Sequence, residues 1–342
     1  MKVTAKTIAQ HLNISPATVD RVFNNRGNVS QKTVKKVLDK ADELNYRPNK
    51  SASFLSKKKN LRIAYVIPTY PVYFWKEIEF GIKNALEDIQ DYGFDIEIYK
   101  VPYKTKDQIN VVKEIVQSQS FDGMIICPTD DLSLTELINA EIEKGFPIYT
   151  FNNDSPSSKR LSYVGADYRD AGGLAGELLN HFTKQSKNLA IIVDEVSTFQ
   201  MKEKGKGFKE FIKHYNDLNS LNTIKIYDKN VEKSLTHLKS TVHKIDGIYV
   251  ASGVLADVAE QIKTFNLTKP PILIGHDMNS EIYQLLQEDM ITATICQNPV
   301  YQGSLSVRLA FNHLMLEKGI KKKENIVKLE IVTKGNSKYY YN

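Results

Sequence analysis

The sequence is poor in cysteine. Its only two, Cys127 and Cys296, lie far apart in apolar, strand-like surroundings, and no CxxC pair is present. This usage excludes a dense disulfide framework. We expect two reduced cysteines in the core of a cytoplasmic protein, with a disulfide between them as the less favoured alternative.

Long apolar runs are absent as well. No stretch approaches the roughly 18 uninterrupted apolar residues of a membrane-spanning helix, and the N-terminus lacks the charged-then-apolar pattern of a secretory signal. We therefore expect no membrane partner. The 42% hydrophobic and 25% charged residues are typical of a globular protein. The chain length suits two or three domains of about 100–200 residues each.

The motifs of several enzyme classes are missing. The sequence contains no GxxxxGK[ST], GxSxG or HExxH, and its seven histidines show no metal-ligand spacing. Asp130 and Asp131 form a candidate carboxylate pair, but adjacent residues on a turn usually point apart. We predict a protein that is not an enzyme and that needs no metal or cofactor.

Positive charge is concentrated at one end of the chain. Residues 1–60 contain 13 lysines and arginines against four acidic residues, a net charge of +9, whereas the whole chain carries +6. The rest is therefore net acidic. A basic first segment is typical of a protein that binds a polyanion such as DNA. A lysine-rich surface without such a partner would extend over the whole chain.

Residues 4–24 are predicted to form two short helices joined by a tight turn. Thr4 is placed to cap the first helix, and Asn13 tolerates the left-handed backbone that would end it. Ser15 and Pro16 suit the N-cap and first position of the second helix. Its apolar face consists of Val19, Val22 and Phe23, and its other face of Pro16, Ala17, Thr18, Asp20, Arg21 and Asn24. The second face suits base edges and phosphates, although any small helical domain can contain such a hairpin.

A third amphipathic helix is expected from Gln31, capped by Ser30. Its apolar face at helical spacing comprises Val34, Val37, Leu38, Ala41 and Leu44. Pro48 stops helix propagation, and the short segment that follows, ending in three lysines, is a linker that could become helical on a partner. We therefore assign residues 1–48 to a small all-α DNA-binding head and residues 49–60 to a linker.

From Leu61 the pattern changes to β-branched apolar runs that alternate with amphipathic helical stretches. The runs occupy residues 61–67, 94–99, 123–127, 147–151, 162–164, 189–193, 223–227, 247–250, 272–274, 292–296 and 326–332. The helical stretches include 74–89, 108–117, 132–144, 169–182, 202–214, 255–265 and 300–317. This alternation predicts that residues 61–342 form an α/β core of two doubly wound parallel-sheet lobes, because so many strands exceed one compact sheet.

Polar and aromatic residues follow many of these strands, at the position where doubly wound sheets bind ligands. They include Tyr70, Tyr73, Phe74, Trp75, Thr129, Asp130, Asp131, Asn152, Asn153, Asp154, the stretch 197–202, Ser252, His276, Asp277, Gln297 and Asn298. Carboxylates and amides beside an aromatic wall suit a hydroxylated small molecule, because buried hydroxyls need partners and ring faces pack on apolar surface. Any one of these residues could instead cap a helix or lie in a turn.

The head resembles that of the LacI/GalR family of bacterial transcription regulators. The resemblance lies in Thr4–Asn24, in Val29 and Ser30 with Thr33, and in the run Leu44–Asn49. The remainder resembles the ligand-sensing core of that family, which is shared with periplasmic sugar-binding proteins.

The resemblance implies a homodimer whose paired heads bind a pseudo-palindromic operator in double-stranded DNA. Residues 50–56 correspond to a hinge helix, and Leu55 to the leucine that is wedged into the minor groove. The implied DNA-contacting residues are Thr4, Ser15, Pro16, Ala17, Thr18, Asp20, Arg21, Asn24, Asn28, Tyr46, Asn49, Ser53 and Leu55. Asp20 replaces a frequent serine, and its carboxylate could accept from cytosine N4 or spare a phosphate contact.

In the core, the resemblance implies a ligand site built from Phe74, Trp75, Asp130, Asn152, Lys202, Ser252, Asp277 and Gln297. Phe74 and Trp75 are similar to sugar-stacking aromatics. Lys202 takes a position usually held by arginine, whose planar fork a lysine lacks. Asn152 and Ser252 replace a common aspartate and asparagine. These replacements favour a polyhydroxylated ligand, a sugar or a sugar derivative, over any particular sugar.

These observations predict a sequence-specific DNA-binding regulator, and a repressor in the first instance. The small ligand closes the two lobes, closure changes the spacing of the heads, and operator affinity changes by about 1–3 kcal/mol. The alternative is a transport-type sugar-binding protein without a regulatory role. That alternative explains residues 61–342 equally well but leaves the basic head without a function.

Overall fold

The structure is a computed structural model that describes residues 4–23, 27, 29–44, 46, 60–184, 186, 188–195, 198–215, 221–227 and 230–340. Its contacts divide the chain into two units, residues 1–59 and 60–342. Within the described ranges, no helix combines the length and the apolar character needed to cross a membrane.

The described residues of the head form three helices, α1 (Ala5–Leu12), α2 (Pro16–Phe23) and α3 (Gln31–Glu43). The predicted caps are confirmed. The Thr4 hydroxyl accepts from the Thr7 N–H, and Asn13 ends α1 with a φ of 51°. Ser15 Oγ accepts from the Thr18 N–H at 3.1 Å. Local side-chain capping therefore defines the turn between α1 and α2.

The small core of the head is formed by Ile8, Ala9, Val19, Val37 and Ala41, all buried. Leu38 does not belong to it, and its predicted place on the apolar face is wrong: its side chain is 45% exposed. Successive helical residues lie about 100° apart around the axis, so α3 cannot direct both Val37 and Leu38 at the same small core.

The second unit contains two lobes, each built on a six-stranded sheet with helices packed against it. The sheet of lobe 1 has the order β11-β5-β4-β3-β1-β2 and is parallel throughout. Its strands are β1 (Leu61–Pro68), β2 (Phe94–Val101), β3 (Gly123–Ile126), β4 (Ile148–Phe151), β5 (Tyr163–Gly165) and β11 (Glu324–Ile326). Its helices are α4 (Val72–Glu87), α5 (Thr105–Gln117), α6 (Leu132–Glu143) and α12 (Pro299–Ala310).

The sheet of lobe 2 has the order β12-β10-β9-β8-β6-β7 and is parallel except for the antiparallel pair β10 and β12. Its strands are β6 (Leu189–Asp194), β7 (Asn222–Ile226), β8 (Gly247–Val250), β9 (Ile272–His276), β10 (Ala293–Cys296) and β12 (Glu330–Val332). Its helices are α7 (Tyr168–Phe182), α8 (Phe199–Ile212), α9 (Val231–Leu235), α10 (Leu255–Lys263) and α11 (Ser280–Gln287). The predicted α/β core of two lobes is therefore confirmed.

Within the described ranges, the chain crosses between the lobes three times, from β5 to α7, from β10 to α12 and from β11 to β12. The predicted single strand 326–332 is wrong. Its first residue ends β11 in the sheet of lobe 1, and residues 330–332 form β12 in the sheet of lobe 2. The predicted helix 300–317 is also different: α12 ends at Ala310 and a π-helical turn, Phe311–Met315, follows it. The short helices α9 and α11 were not predicted.

Two close helix crossings place the elements that hold the candidate ligand site. In lobe 1, a Cβ on Gly81 of α4 would lie 2.0 Å from the Val300 carbonyl oxygen of α12. In lobe 2, a Cβ on Gly172 of α7 would lie 1.9 Å from the Lys204 carbonyl oxygen of α8. Only glycine permits such approaches, so they fix α4 and α8 against their neighbours.

Candidate functional site

The outer face of α2 is polar and accessible. Pro16, Ala17 and Arg21 are exposed, while Thr18 and Asp20 are partly buried. Ser15 and Thr18 share a hydroxyl contact of 2.9 Å at the start of the helix. The structure therefore presents small and basic side chains on the face opposite Val19, as contact with a DNA groove requires.

Other residues of the predicted DNA interface have different surroundings. Thr4 is exposed and caps α1. Tyr46 is partly buried, and its ring lies 5.4 Å from that of Phe23, so it packs against the head core. Asn24, Asn28, Asn49, Ser53 and Leu55 lie outside the described residues.

The candidate ligand site lies where the carboxyl ends of the strands of both lobes meet. On the side of lobe 1, Phe74 and Trp75 occupy the first turn of α4, directly after β1. Both are buried, and the Trp75 ring meets Phe74 and Phe151 edge to face at 5.1 and 6.1 Å. This aromatic group forms one wall of the site.

On the side of lobe 2, Asp277 and Gln297 follow neighbouring strands. Gln297 Nε2 donates to Asp277 Oδ1 at 3.0 Å. Asp277 has a φ of 67°, a left-handed backbone conformation that aspartate and asparagine adopt more readily than most other residues. Burial raises the pKa of Asp277, while Lys204 and the bond from Gln297 lower it in part.

The buried cation of the site is Lys204 of α8, which is only 4% exposed. Its Nζ donates to the Ala251 carbonyl oxygen at 3.3 Å and lies 5.5 Å from the centre of the Tyr168 ring. Burial lowers the pKa of Lys204 to about 8, and the nearby Asp277 and Asp194 partly offset this effect. No other acceptor lies within hydrogen-bond distance of Nζ in the described part of the chain.

Lys202 lies elsewhere, at the mouth of the cleft. Its side chain is half exposed, and its Nζ lies 2.6 Å from Asp130 Oδ2 of lobe 1. A second contact between the lobes joins the Gln200 N–H to Asn153 Oδ1 at 3.2 Å. Asp130 and Lys202 thus connect the rims of the two lobes.

Two buried polar atoms of the predicted site have no hydrogen-bond partner among the described residues: Trp75 Nε1 and Ser252 Oγ. Ser252 is 2% exposed and follows Ala251, which accepts from Lys204. Buried donors without partners are costly and rare in native proteins. Together with the unused donors of Lys204, they fit a ligand that carries several hydroxyl or carbonyl oxygens.

Comparison with known proteins agrees with both parts of this structure. Residues 63–318 match the family described as "Periplasmic binding protein domain", and residues 4–49 match "Bacterial regulatory proteins, lacI family". The chain belongs to the LacI family of bacterial regulatory proteins. It is accordingly a DNA-binding transcriptional regulator with a ligand-binding core.

Curated relatives span most of this LacI-family chain. It is 27% identical over 267 residues to the HTH-type transcriptional regulator MalR of Streptococcus pneumoniae serotype 4, which covers 75% of this chain and 78% of the relative. It is 26% identical over 321 residues to the ribose operon repressor of Halalkalibacterium halodurans, and this match covers 91% of this chain and 90% of the relative. By their names, both relatives are regulators of transcription.

The fold of the core is that of sugar-binding proteins. GanP, a glucose-galactose binding protein from Geobacillus stearothermophilus, superposes with a TM-score of 0.72 at 22% identity, covering 82% of this chain and 99% of that one. In this LacI-family chain, no group of three or more histidine, cysteine or acidic side chains among the described residues is arranged to hold a metal ion.

The structure brings most of the predicted ligand-site residues together, but it adds two that sequence reasoning missed. Lys204 was passed over in favour of Lys202, although both lie in the same lysine-rich run. Tyr168 was not considered, yet its hydroxyl reaches the Asn152 carbonyl oxygen at 2.6 Å and Gln297 Oε1 at 3.1 Å. The glycine pattern of α7 and α8 could have indicated Lys204, because Gly172 contacts its backbone.

Proposed function

We propose that this LacI-family protein is a homodimeric regulator of transcription, in the first instance a repressor, that acts in the cytoplasm. Its α2 helices bind a pseudo-palindromic operator, and a sugar or sugar derivative in the cleft changes operator affinity. The observation that carries the proposal is the combination, in one chain, of an exposed α2 face with a cleft that holds the buried cation Lys204 and two buried atoms without a hydrogen-bond partner among the described residues, Trp75 Nε1 and Ser252 Oγ.

The proposed effector site uses residues of both lobes. Phe74 and Trp75 pack against the apolar face of the effector, while Lys204, Ser252, Asp277 and Gln297 bind its oxygens and hydroxyls. Lys204, rather than Lys202, supplies the cation, because it is buried beside Asp277 whereas Lys202 is paired at the rim. Asp130 and Lys202 come together when the two lobes approach. A ligand held by both lobes favours the closed arrangement by its differential affinity.

The proposed operator contacts are those of α2, with the segment around Leu55 entering the minor groove. Paired heads must keep a fixed separation to fit two half-sites, so a change in the lobes alters operator affinity. Names of related proteins support a sugar effector: one relative is a ribose operon repressor and one structural neighbour is a glucose-galactose binding protein.

Selection of genomic fragments by the purified full chain tests this function against its alternatives. We expect enrichment of a small set of fragments with an inverted repeat, at physiological salt, and a change in their affinity when the matching sugar is added. A transport-type binding protein would bind sugar and enrich no fragment. An enzyme would convert the sugar. Absence of enriched fragments, with and without metabolite extracts, contradicts the proposal.

Arg21→Met should weaken operator binding by about 10-fold or more, because a bidentate arginine contact to guanine contributes about 1–3 kcal/mol. Lys36→Met on α3, also an exposed cation, is the matched control and should have a smaller effect that is uniform across DNA sequences. Fluorescence anisotropy with the selected operator and a scrambled fragment measures both. Equal losses on both fragments would remove Arg21 from base recognition.

Asp277→Ala should abolish the response to the effector, because its buried carboxylate interacts electrostatically with Lys204 and accepts from Gln297. Trp75 is the only tryptophan in the chain, so its intrinsic fluorescence reports occupancy of the cleft without a label. Titration with D-ribose, D-glucose, D-galactose and L-arabinose, followed by a thermal shift for any that respond, compares the variant with the parent. A retained thermal shift in Asp277→Ala would place the effector elsewhere.

A further inference from the structure

Gln302 of α12 is fully buried in lobe 1, yet its side chain bonds across to lobe 2. Its Nε2 donates to the Gln297 carbonyl oxygen at 2.8 Å and to Gln297 Oε1 at 3.3 Å. Its Oε1 accepts from Asn152 Nδ2 at 3.3 Å. Both polar atoms of the Gln302 side chain therefore form hydrogen bonds within the protein.

These bonds continue in one direction to the ligand site. Asn152 donates to Gln302, Gln302 donates to Gln297, and Gln297 donates to Asp277 Oδ1 at 3.0 Å. An ionised carboxylate can only accept, so Asp277 fixes the orientation of the Gln297 amide. Gln297 must then present its oxygen to Gln302, which in turn presents its own oxygen to Asn152. The Gln297 carbonyl oxygen, which can also only accept, holds the Gln302 amide in the same orientation, so one carboxylate and one backbone carbonyl orient the three amides.

The amide chain passes through the crossings between the lobes. Asn152 follows β4 of lobe 1 and Gln302 lies on α12, whereas Asp277 and Gln297 follow β9 and β10 of lobe 2. The Tyr168 hydroxyl, at the start of α7, bonds both to the Asn152 carbonyl oxygen and to Gln297 Oε1. Rotation of one lobe against the other must therefore break or re-form these bonds.

We infer that Gln302 is a positioning residue that transmits the state of Asp277, through Gln297, from the effector site of lobe 2 to lobe 1. The inference rests on the proposed function and names the side chain through which the cleft and the lobe arrangement are coupled. A chain of buried amides suits this role, because breaking one of its hydrogen bonds alone would leave an unsatisfied buried polar group. The bonds are therefore expected to rearrange together.

A double-mutant cycle on the full chain tests the inference without the effector. The probe is the genomic fragment most enriched by the wild-type protein, and its Kd is measured for Gln302→Met, Asp277→Ala and the double variant. We expect each single change to shift the Kd by about 5-fold or more. The double variant should shift it no further than the larger single change, because both break the same chain of bonds.

Gln302→Glu provides a second variant of the same shape in case Gln302→Met does not fold. It places an oxygen against the oxygens of Gln297 and should shift the Kd in the same direction as Gln302→Met. Gln108→Met is the matched control. Gln108 is a fully buried glutamine of lobe 1 that bonds to the Cys127 oxygen at 2.9 Å and the Thr129 nitrogen at 2.8 Å, outside the amide chain. It should lower the midpoint of thermal unfolding comparably and leave the Kd within twofold.

The inference is overturned if either single variant binds the fragment within twofold of the wild type, or if the two single shifts multiply in the double variant. It is also overturned if Gln108→Met shifts the Kd as much as Gln302→Met, since the effect would then report loss of stability alone. If the wild type enriches no fragment, the proposed function itself fails and this inference falls with it.

Discussion

Lys204→Met should stabilise the effector-free protein at pH 7 by about 2 kcal/mol and weaken effector binding by about 10- to 100-fold. Burial lowers the pKa of this lysine from 10.5 to about 8, so the protonated form is disfavoured in the folded state. The buried charge lowers the free energy of unfolding by roughly 3 kcal/mol. Losing the hydrogen bond to the Ala251 oxygen in the variant cancels about 1 kcal/mol of the expected gain. The ligand site would thus be a source of instability that the effector relieves.

The pH dependence of this effect has a defined sign. Below pH 8 the lysine is protonated in both the folded and the unfolded state, and the full destabilisation is present. Between about pH 8 and 10.5 the unfolded state binds more protons, so wild-type stability rises with pH relative to the variant. Urea unfolding at pH 7 and at pH 9.5 should therefore show a smaller difference between the two proteins at the higher pH.

Lys202→Met is the control for Lys204→Met. Lys202 is half exposed and pairs with Asp130 at the rim, so its removal should leave stability nearly unchanged. If Lys202→Met abolishes the Trp75 fluorescence response while Lys204→Met retains it, the cation of the effector site is Lys202, as the sequence resemblance implied.

Asp154→Ala is expected to lower the free energy of unfolding by about 3–5 kcal/mol, because it removes the buried partner of a buried guanidinium and leaves it only the exposed carboxylate of Glu324, 3.5 Å away. Both side chains of the Asp154–Arg160 pair are 5% exposed. Arg160 Nε and Nη2 donate to the two carboxylate oxygens at 2.6 Å each, and the Thr150 hydroxyl donates to Oδ1 at 2.6 Å. Such a bidentate, fully hydrogen-bonded pair loses far more when broken than a surface pair does.

The same arginine also holds the entry to β11, the strand from which the chain crosses to lobe 2. Arg160 Nη1 donates to the Lys323 carbonyl oxygen at 3.0 Å, directly before β11. Asp154→Ala should therefore release the entry to β11, as well as lower stability, and increase hydrogen exchange in residues 322–327. Glu143→Ala, which breaks the exposed ion pair with the neighbouring Lys159, is the control and should change neither. A comparable loss in both variants would contradict the role of burial.

Local signals account for the parts of the structure that the sequence predicted well. The Thr4 and Ser15 caps and the left-handed Asn13 depend on the backbone within one turn, so the start of each helix in the head could be read directly. Likewise, continuous apolar runs separated by amphipathic stretches require buried parallel strands with helices on both faces, whatever their order. Fold class and the two lobes follow from these features alone.

Residues that depend on which face of an element is buried could not be read in this way. Lys202 and Lys204 belong to one lysine-rich helix, and two residues correspond to about 200° of rotation, so one faces solvent when the other faces inward. Only the close contact of α8 with Gly172 of α7 decides that Lys204 is inside. For the same reason Leu38 looked equivalent to Val37.

Pairing and long-range polar contacts were also decided by the tertiary structure. The apolar pattern of residues 326–332 fits one strand as well as two, and their separation into β11 and β12 depends on two sheets that the local sequence does not specify. The local sequence around Gln302 does not indicate its role. Asn152 lies 150 residues away, and the bonds to Gln297 depend on how the chain folds between β10 and α12. The sequence by itself determined a DNA-binding head and a two-lobed ligand-binding core; the packing of those lobes decided which cation and which amides form the site, because burial and hydrogen bonding are properties of the assembled fold.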